Sequence, residues 1–578
     1  MFKSRISKVQ KYLIDNNYDA FIFFLNDDHG SEYIIDSYKS IAFLCGFTGS
    51  NGTLLISKND SYLWTDGRYF LQANNQLKES NTKLMKIGID ISLNEFISLN
   101  YKSIVLDFKL TNVSFVNNLL NINPHINLID NGSLINSIWE NRPKIKNKKV
   151  FLLEESAISK SIKEKCHKTL NYIKSKSNYA ILVSALDDIA YLLNSRGFDI
   201  KYNPVFLSFL LLTKINNEEK YYLYINKNKL SQEIINTYTA NNIIIKKYND
   251  IYQDVKNLKV KIYFDINKTN YKLFTLMNKK KDSILYPSLA KSIKTSIDIK
   301  QTKKVHIKDG IAMCKLLYYI KSNVTKNRLS ELSVSNYLYK LRKNQGALSL
   351  SFNTICGYKE NGAIIHYSAT KATNKKIYND GFLLIDSGGQ YLYGTTDITR
   401  TIALNNITDE MKKHFTLVLK AHIDLAMAIF DKNTTDAQLD KIARKPLWDN
   451  NLDYNHGTGH GIGHLLNVHE GPQSIRYNKI NPIIMKKSMI TSNEPGLYIE
   501  NKYGIRHENE LLCIKKKDKL AFETITYVPF DINGIDVSLL DENERNWLNN
   551  YHKLVYKKIN KFLTLDERKF LKDITKEI

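Results

Sequence analysis

Nowhere does this chain of 578 residues run apolar for long enough to cross a bilayer, which takes roughly 20 consecutive apolar residues as a helix. The opening run MFKSRISKVQKYLIDNNYDAF is basic but lacks an apolar core followed by a cleavage site, so no secretory signal is expected. Cysteine is also sparse. Cys45, Cys166, Cys314, Cys356 and Cys513 are scattered without a CxxC pair, a usage that suits a cytoplasmic protein in a reducing compartment. Acidic residues fall short of basic ones, 58 against 83, leaving a formal charge of +25. Such an excess can mean nucleic acid or membrane affinity. Here the lysines occur as KIKNKK, NKNKL, NKKKD and KKKDK, mixed with asparagine and without a nucleic-acid motif. They read as solvated faces, and no specific nucleic-acid or membrane partner is expected.

What is present is ordinary globular material, with 43% apolar and 11% aromatic residues. The length implies roughly three or four domains. Strand-like runs (AFIFFL, GTLLIS, SIVLDF) alternate with helical ones from residue 1 to 145, where the basic stretch RPKIKNKK marks a linker. The alternation recurs over 146–295 in YAILVSA, YYLYIN, NIIIKKY and KIYFDI, so these two domains are expected to be related α/β layers. The run KQTKKVHIKDGIAMCKLLYYIKS reads as the helix that opens a third domain, 296–578, and all chemistry falls after it.

That chemistry centres on HGTGHGIGHLLNVHEGP, residues 456–472, which holds four of the 13 histidines. Histidine ligates borderline metals and titrates near neutrality, so such a cluster points to a metal or catalytic site, with a structural histidine loop as the alternative. His456, His460 and His464 stand four apart and would share one face of a helix. Gly457, Gly459, Gly461 and Gly463 argue against it, since each would cost roughly 1 kcal/mol in a helix interior. A strand or loop is expected instead, with the histidines fanned to different roles.

Carboxylates to complete a metal site stand in the same half. Asp386 ends the apolar run GFLLIDSGGQY, and Asp397 follows eleven positions later in YGTTDITRTIAL. A strand, a glycine turn and a returning strand would bring both acids to one sheet face. Glu494 in MITSNEPGLYIE and Glu508 in YGIRHENELLCI lie in two further β-like runs. An acid in a buried strand is costly unless paired or bound to a cation. Each alone could be an ordinary ion pair; four together with a histidine cluster favour a metal.

The set DSGGQYLYGTTDITR, HGTGHGIGHLLNVHEGP, NEPGLY and GIRHEN resembles, in order and spacing, the dinuclear metallopeptidases of the pita-bread fold. LSFNTICGYKENGAIIHYSAT and LVSALDDIAYLLNSRGFDIKYNPVF resemble the aminopeptidase P family within that group. GFTGSNGTLLIS, YLWTDGRYFLQA and the tail IDVSLLDENERNWLNNYH carry the same likeness nearly end to end. It implies two α/β creatinase-like domains before an α+β pita-bread catalytic domain, with a C-terminal extension from about 528 to 578. It also implies that Asp386, Asp397, His460, Glu494 and Glu508 hold two divalent ions. Oxygen-rich ligation with one imidazole suits manganese, with zinc or cobalt as alternatives.

The resemblance implies that two such ions would lower the pKa of a water and polarise the scissile carbonyl of an N-terminal Xaa-Pro bond. By the same resemblance Glu494 shuttles the proton, His469 donates to the developing tetrahedral species, and His366 and His456 bind substrate. Tyr498 and Arg506 form a hydrogen-bonded set behind the metals. The expected partners are peptides with proline second and a second copy of the chain, the first two domains capping the cleft and building the dimer. A prolidase-type dipeptidase and a non-catalytic pita-bread binding protein are the alternatives. Strand parity puts Arg506 and Glu508 on one face and turns His507 away. No ligand slot remains for His464, which is expected to pack or support, and His422 is expected to cover the surface of its amphipathic helix.

Overall fold

Strand-forming runs occur twice in the same order in the first half. The computed structural model, which describes residues 1–326 and 328–578, folds each set into a six-stranded sheet of one topology. In the first, Ala20–Phe24 pairs antiparallel with Thr53–Ser57 and parallel with Ser103–Leu106. In the second, Tyr179–Val183 pairs antiparallel with Ser208–Ile215 and parallel with Lys261–Phe264. Outer strands join both sheets in the same sense, Lys83–Lys86 and Ile243–Lys246 at one edge, Asn127–Asp130 and Lys279–Asp282 at the other. Helices cover the sheets as the α/β alternation requires: Val113–Ile122 buries Val113, Val116 and Leu119, three apart on one face.

The two sheets belong to one compact unit, Met1–Ser288; a second spans Leu289–Ile578. A polar seam joins the sheets inside the first unit. His29 lies beside the Ser184 carbonyl through Nδ1 (2.9 Å) and the Tyr248 hydroxyl through Nε2 (2.7 Å), while Asn270 donates to the Asp28 carbonyl (2.9 Å). Burial pushes His29 down to about 4, so the imidazole is neutral, with Nδ1 as donor and Nε2 as acceptor. Among the described residues no helix is long and apolar enough to cross a membrane.

The second unit opens on the helix Ser296–Asn323, started by a capping box between Thr295 and Asp298. Around it stand a three-stranded sheet, Ile355–Tyr358, Phe382–Ser387 and Ile398–Ala403, and a four-stranded sheet containing Ile490–Asn493 and Asn509–Lys516. The helix Glu542–Ile559, which precedes the last helix Leu565–Ile574, is part of this core. Leu548, Tyr551, Val555 and Ile559 pack in one cluster with Phe415, Val418 and Leu419, so the NNYH tail stabilises the unit that carries the chemistry.

His422 departs from the sequence reading. It is fully buried, because the helix Asp409–Met427 is covered on most of its circumference. Its ring meets the Asn493 carbonyl (3.0 Å) and the Asn509 amide (3.0 Å), which satisfies both nitrogens inside the core.

Gly310 shows how tightly the long helix is set. A Cβ there would lie 2.6 Å from the Tyr527 carbonyl oxygen and 3.0 Å from Ile559 Cδ1. Helix propensity favours alanine over glycine by about 1 kcal/mol, but forcing an atom into a packed contact costs about 1–3 kcal/mol. Gly310→Ala is therefore expected to lower the thermal midpoint. A raised midpoint in a melting experiment would show that the backbone approach is looser than this.

Candidate metal centre

Five separate chain segments each deliver one side chain to one place. The antiparallel pairing of Phe382–Ser387 with Ile398–Ala403 sets Asp386 opposite Thr399, and Asp397, two residues from Thr399, shares that face. Glu508 sits between the strands Tyr503–Arg506 and Asn509–Lys516, its amide donating to the Thr399 carbonyl (3.1 Å). Glu494 follows Ile490–Asn493, its amide donating to the Thr458 carbonyl (2.7 Å). His460 lies in the two-residue strand Gly459–His460, paired with Ser474–Ile475. The neighbouring glycines are required by close approach. A Cβ on Gly459 would fall 2.0 Å from the Ser492 carbonyl oxygen, and one on Gly461 would fall 2.1 Å from that of Glu470. The loop thus threads between strands that leave no room for side chains, and it is not helical.

The donor atoms converge. Asp386, Asp397 and Glu508 form one trio with ligand atoms within 4.8 Å of one another; His460, Glu494 and Glu508 form a second, and Asp397, His460 and His469 a third. The first two share Glu508, so the five residues make a continuous double site. His460 Nδ1 faces the Gly461 carbonyl (3.0 Å), which turns Nε2 toward Glu494 (3.2 Å) and Asp397 (3.5 Å).

This arrangement fits divalent cations. Asp386 Oδ1 and Glu508 Oε1 are buried without a hydrogen-bond partner, and the chemistry of the set is four hard oxygen donors with one imidazole. Burial first, and then the charge of the neighbouring acids, raises Asp397 and Glu508 well above the carboxylate range. Burial also raises Asp386, against the pull of Arg506. Burial works against the charged His460, yet the hydrogen bond and charge of Glu494 lift it to about 9. Four carboxylates this close are held together by protons or by cations.

The supporting shell is polar and directional. Arg506 donates from Nη2 to Asp386 Oδ2 (2.6 Å) and from Nη1 to the Tyr498 hydroxyl (2.6 Å). Tyr498 in turn meets His456 Nε2 (2.8 Å), while His456 Nδ1 faces the Gly457 carbonyl (2.8 Å). Thr399 donates to Glu508 Oε2 (2.7 Å) and Ser492 to Glu494 Oε1 (3.1 Å). The His469 ring stands edge-on to His460 at 4.3 Å. His366 lies half-buried in the loop after Ile355–Tyr358, and Arg506 Nη2 reaches the carbonyl of its neighbour Ile365 (3.4 Å). His464 points elsewhere, to Thr302 and Gln301 on the long helix (both 3.2 Å). His507 turns away from the acids, against Phe415 and Phe530.

Some participants escaped the sequence reading. Glu510 Oε1 accepts the Asp397 amide (2.9 Å), and its Oε2 lies 3.0 Å from His306 Nε2. Parity taken one step beyond Glu508 would have found Glu510, since residues two apart in a strand share a face. His306 had no such signal, because its partner is two hundred residues away in the chain.

Residues 300–515 match the model of metallopeptidase family M24, and 518–578 match its C-terminal region. Residues 5–138 and 141–298 each match a creatinase/prolidase N-terminal domain. The chain is 36% identical to a probable Xaa-Pro aminopeptidase P of Talaromyces marneffei over 97% of its own length and 90% of the relative's. It is 34% identical to Xaa-Pro aminopeptidase 1 of Dictyostelium discoideum over 96% and 92%. A solved X-prolyl aminopeptidase from Caenorhabditis elegans, described as cytosolic with a dinuclear active site, superposes with a TM-score of 0.95 at 30% identity, covering 100% of both chains.

A cation bound only to the folded state raises its stability by mass action. Dialysis against a chelator is expected to lower the thermal midpoint, and re-addition of a divalent cation to restore it with two ions bound per chain. Elemental analysis giving one ion or none, with an unmoved midpoint, would contradict the double site.

Proposed function

This chain belongs to metallopeptidase family M24, among its Xaa-Pro aminopeptidases, and on that premise we propose that it releases the first residue from peptides with proline second. The observation that carries the reading is the pair of trios sharing Glu508. We assign Asp386, Asp397, His460, Glu494 and Glu508 as ligands of two divalent ions. One imidazole among carboxylates favours manganese. Three domains, 1–145, 146–295 and 296–578, are part of the same reading, and the matches ending at 138 and 298 support it. So is a cytoplasmic homodimer, whose cellular placement is supported by five cysteines that are all buried and unpaired.

When bound, the two ions would supply hydroxide near neutral pH and polarise the scissile carbonyl. The chain's own residues do the rest. Glu494, beside His460 and accepting from Ser492, takes the proton from the attacking water and passes it to the departing proline nitrogen. His469, half-buried next to His460, donates to the oxygen that gains charge. An Xaa-Pro bond offers no N–H, so recognition falls on the ring and the carbonyls. His366, in the loop tied to Arg506 through Ile365, serves as a donor to substrate. His456 has both ring nitrogens engaged, and burial holds it down at about 4. It stays neutral and contacts substrate by exchanging the bond from Tyr498.

The cleft carboxylates pair with the peptide's free ammonium, which limits cleavage to one residue. A non-catalytic binding protein is disfavoured by a complete donor set. The dipeptidase reading is disfavoured by the relatives, which match along nearly the whole chain.

The manganese-loaded protein is expected to turn over an Xaa-Pro tripeptide faster than the corresponding Xaa-Pro dipeptide. Preference for the dipeptide in a steady-state assay would make it a prolidase, and no turnover of either would remove the enzyme reading. Glu494→Gln is expected to leave the melting curve of the metal-free protein in place while abolishing hydrolysis. Activity like the wild type's would take Glu494 out of proton transfer.

A further inference from the structure

His366 sits on a loop, not on a regular element. The segment 359–377 has only one short 3-10 turn, Lys359–Ala363, yet it carries His366 next to Ile365, whose carbonyl Arg506 reaches. What holds it is a buried acid that the reaction does not use. Glu331, the first residue of the helix Glu331–Asn344, is 0% exposed. Its Oε1 accepts the Tyr358 amide and the Asn361 side-chain amide (both 2.9 Å). Its Oε2 accepts the Tyr367 hydroxyl (2.8 Å) and the Lys375 amide (2.9 Å).

These four donors span the loop. Tyr358 precedes it, Asn361 lies in its turn, Tyr367 is the residue after His366, and Lys375 lies where the chain returns. The return is also zipped to the start of the helix: the Glu331 amide donates to the Lys375 carbonyl (3.1 Å) and the Ile377 amide to the Leu329 carbonyl (2.9 Å). On the opposite side the loop meets the metal centre. Arg506 reaches the Ile365 carbonyl, and Gly362 packs so closely on Gly504 that a Cβ on Gly504 would lie 1.8 Å from the Gly362 oxygen. The residues on either side of His366 are thus tied down, Ile365 by Arg506 and Tyr367 by Glu331.

All four partners of Glu331 are neutral donors. A buried carboxylate satisfied this way depends on its donors being in place, and the Tyr367 hydroxyl extends the network to the Thr373 carbonyl (3.0 Å) and the Asn361 amide (2.9 Å). Such a network has one low-energy arrangement. We propose that Glu331 is a positioning residue for hydrolysis: it keeps the 359–377 loop in the conformation that presents His366 to the peptide. The inference rests on the proposed role of His366 as a substrate-binding group.

The test is a double-mutant cycle on the metal-loaded protein, with kcat and KM measured on an Xaa-Pro tripeptide. Glu331→Gln keeps the volume but turns an amide against two of the donors. It is expected to lower kcat/KM roughly 10- to 100-fold, the scale of a misplaced group, while the chain still binds two ions. In the His366→Ala background the same change is expected to cost less than about twofold, because residues acting as one unit are not additive. Losses that multiply, or a Glu331→Gln protein with wild-type kcat/KM, would overturn the inference and leave the role of His366 standing. A silent His366→Ala would overturn that role and the inference with it. Tyr367→Phe removes one of the four bonds and covers the case in which Glu331→Gln fails to fold. It is expected to cause a smaller loss that likewise vanishes with His366→Ala, and an additive loss would reject the inference.

Discussion

Four carboxylates brought together in a buried space repel one another, and the second unit of this chain is organised around that repulsion. Asp386, Asp397, Glu494 and Glu508 arrive from separate strands and converge around the shared Glu508. Burial alone drives Asp397 and Glu508 toward the neutral form, and each neighbouring acid adds to the effect. A site of this kind persists only if something positive is supplied. Arg506 supplies part of it at Asp386 and His460 part at Glu494. The unpartnered oxygens of Asp386 and Glu508 leave room for divalent cations to supply the remainder.

Geometry around the acids is fixed by neutral donors and backbone, which orient without cancelling the charge the metals need. Thr399 and Ser492 each hold one carboxylate oxygen, and the Asp397 amide is anchored on Glu510. Behind this layer, Arg400 binds the Glu508 carbonyl (2.5 Å), the Asn509 side chain (2.8 Å) and the Val528 carbonyl (2.6 Å), with its guanidinium over Phe530. The helix Glu542–Ile559 completes the support, since the Tyr551 hydroxyl reaches the same Val528 carbonyl (2.7 Å). The tail therefore acts on the centre through packing, some distance from any ligand.

Much of this was legible in the chain because it rests on local pattern. Period-two alternation set Arg506 and Glu508 on one face and His507 on the other, and glycine density ruled out a helix across 456–472. Repeated strand runs anticipated two sheets of one topology. Residues whose meaning depends on a distant partner were not legible. His422 sits in an amphipathic pattern that says surface, yet Asn493 and Asn509 satisfy it in the core. His306 has meaning only against Glu510. Glu331 looks like an ordinary acid in the first turn of a helix, favoured there by the helix dipole; its four donors lie 27 to 44 residues further on.

The likeness of its motifs to a known family marked the five candidate donors, in the order Asp, Asp, His, Glu, Glu; the amino-acid order by itself determined where glycines let backbones touch and where runs alternate as sheets do. These are properties of neighbours along the chain, and steric and hydrophobic periodicity carries them. Tertiary structure alone decided that two trios share Glu508, that Arg506 links Asp386 to Tyr498 and His456, and that a buried acid grips the loop of His366. Each of those is a contact between segments far apart in the chain. Hydrogen-bond satisfaction and charge compensation act across space, and no local pattern encodes which distant donor will meet which buried oxygen.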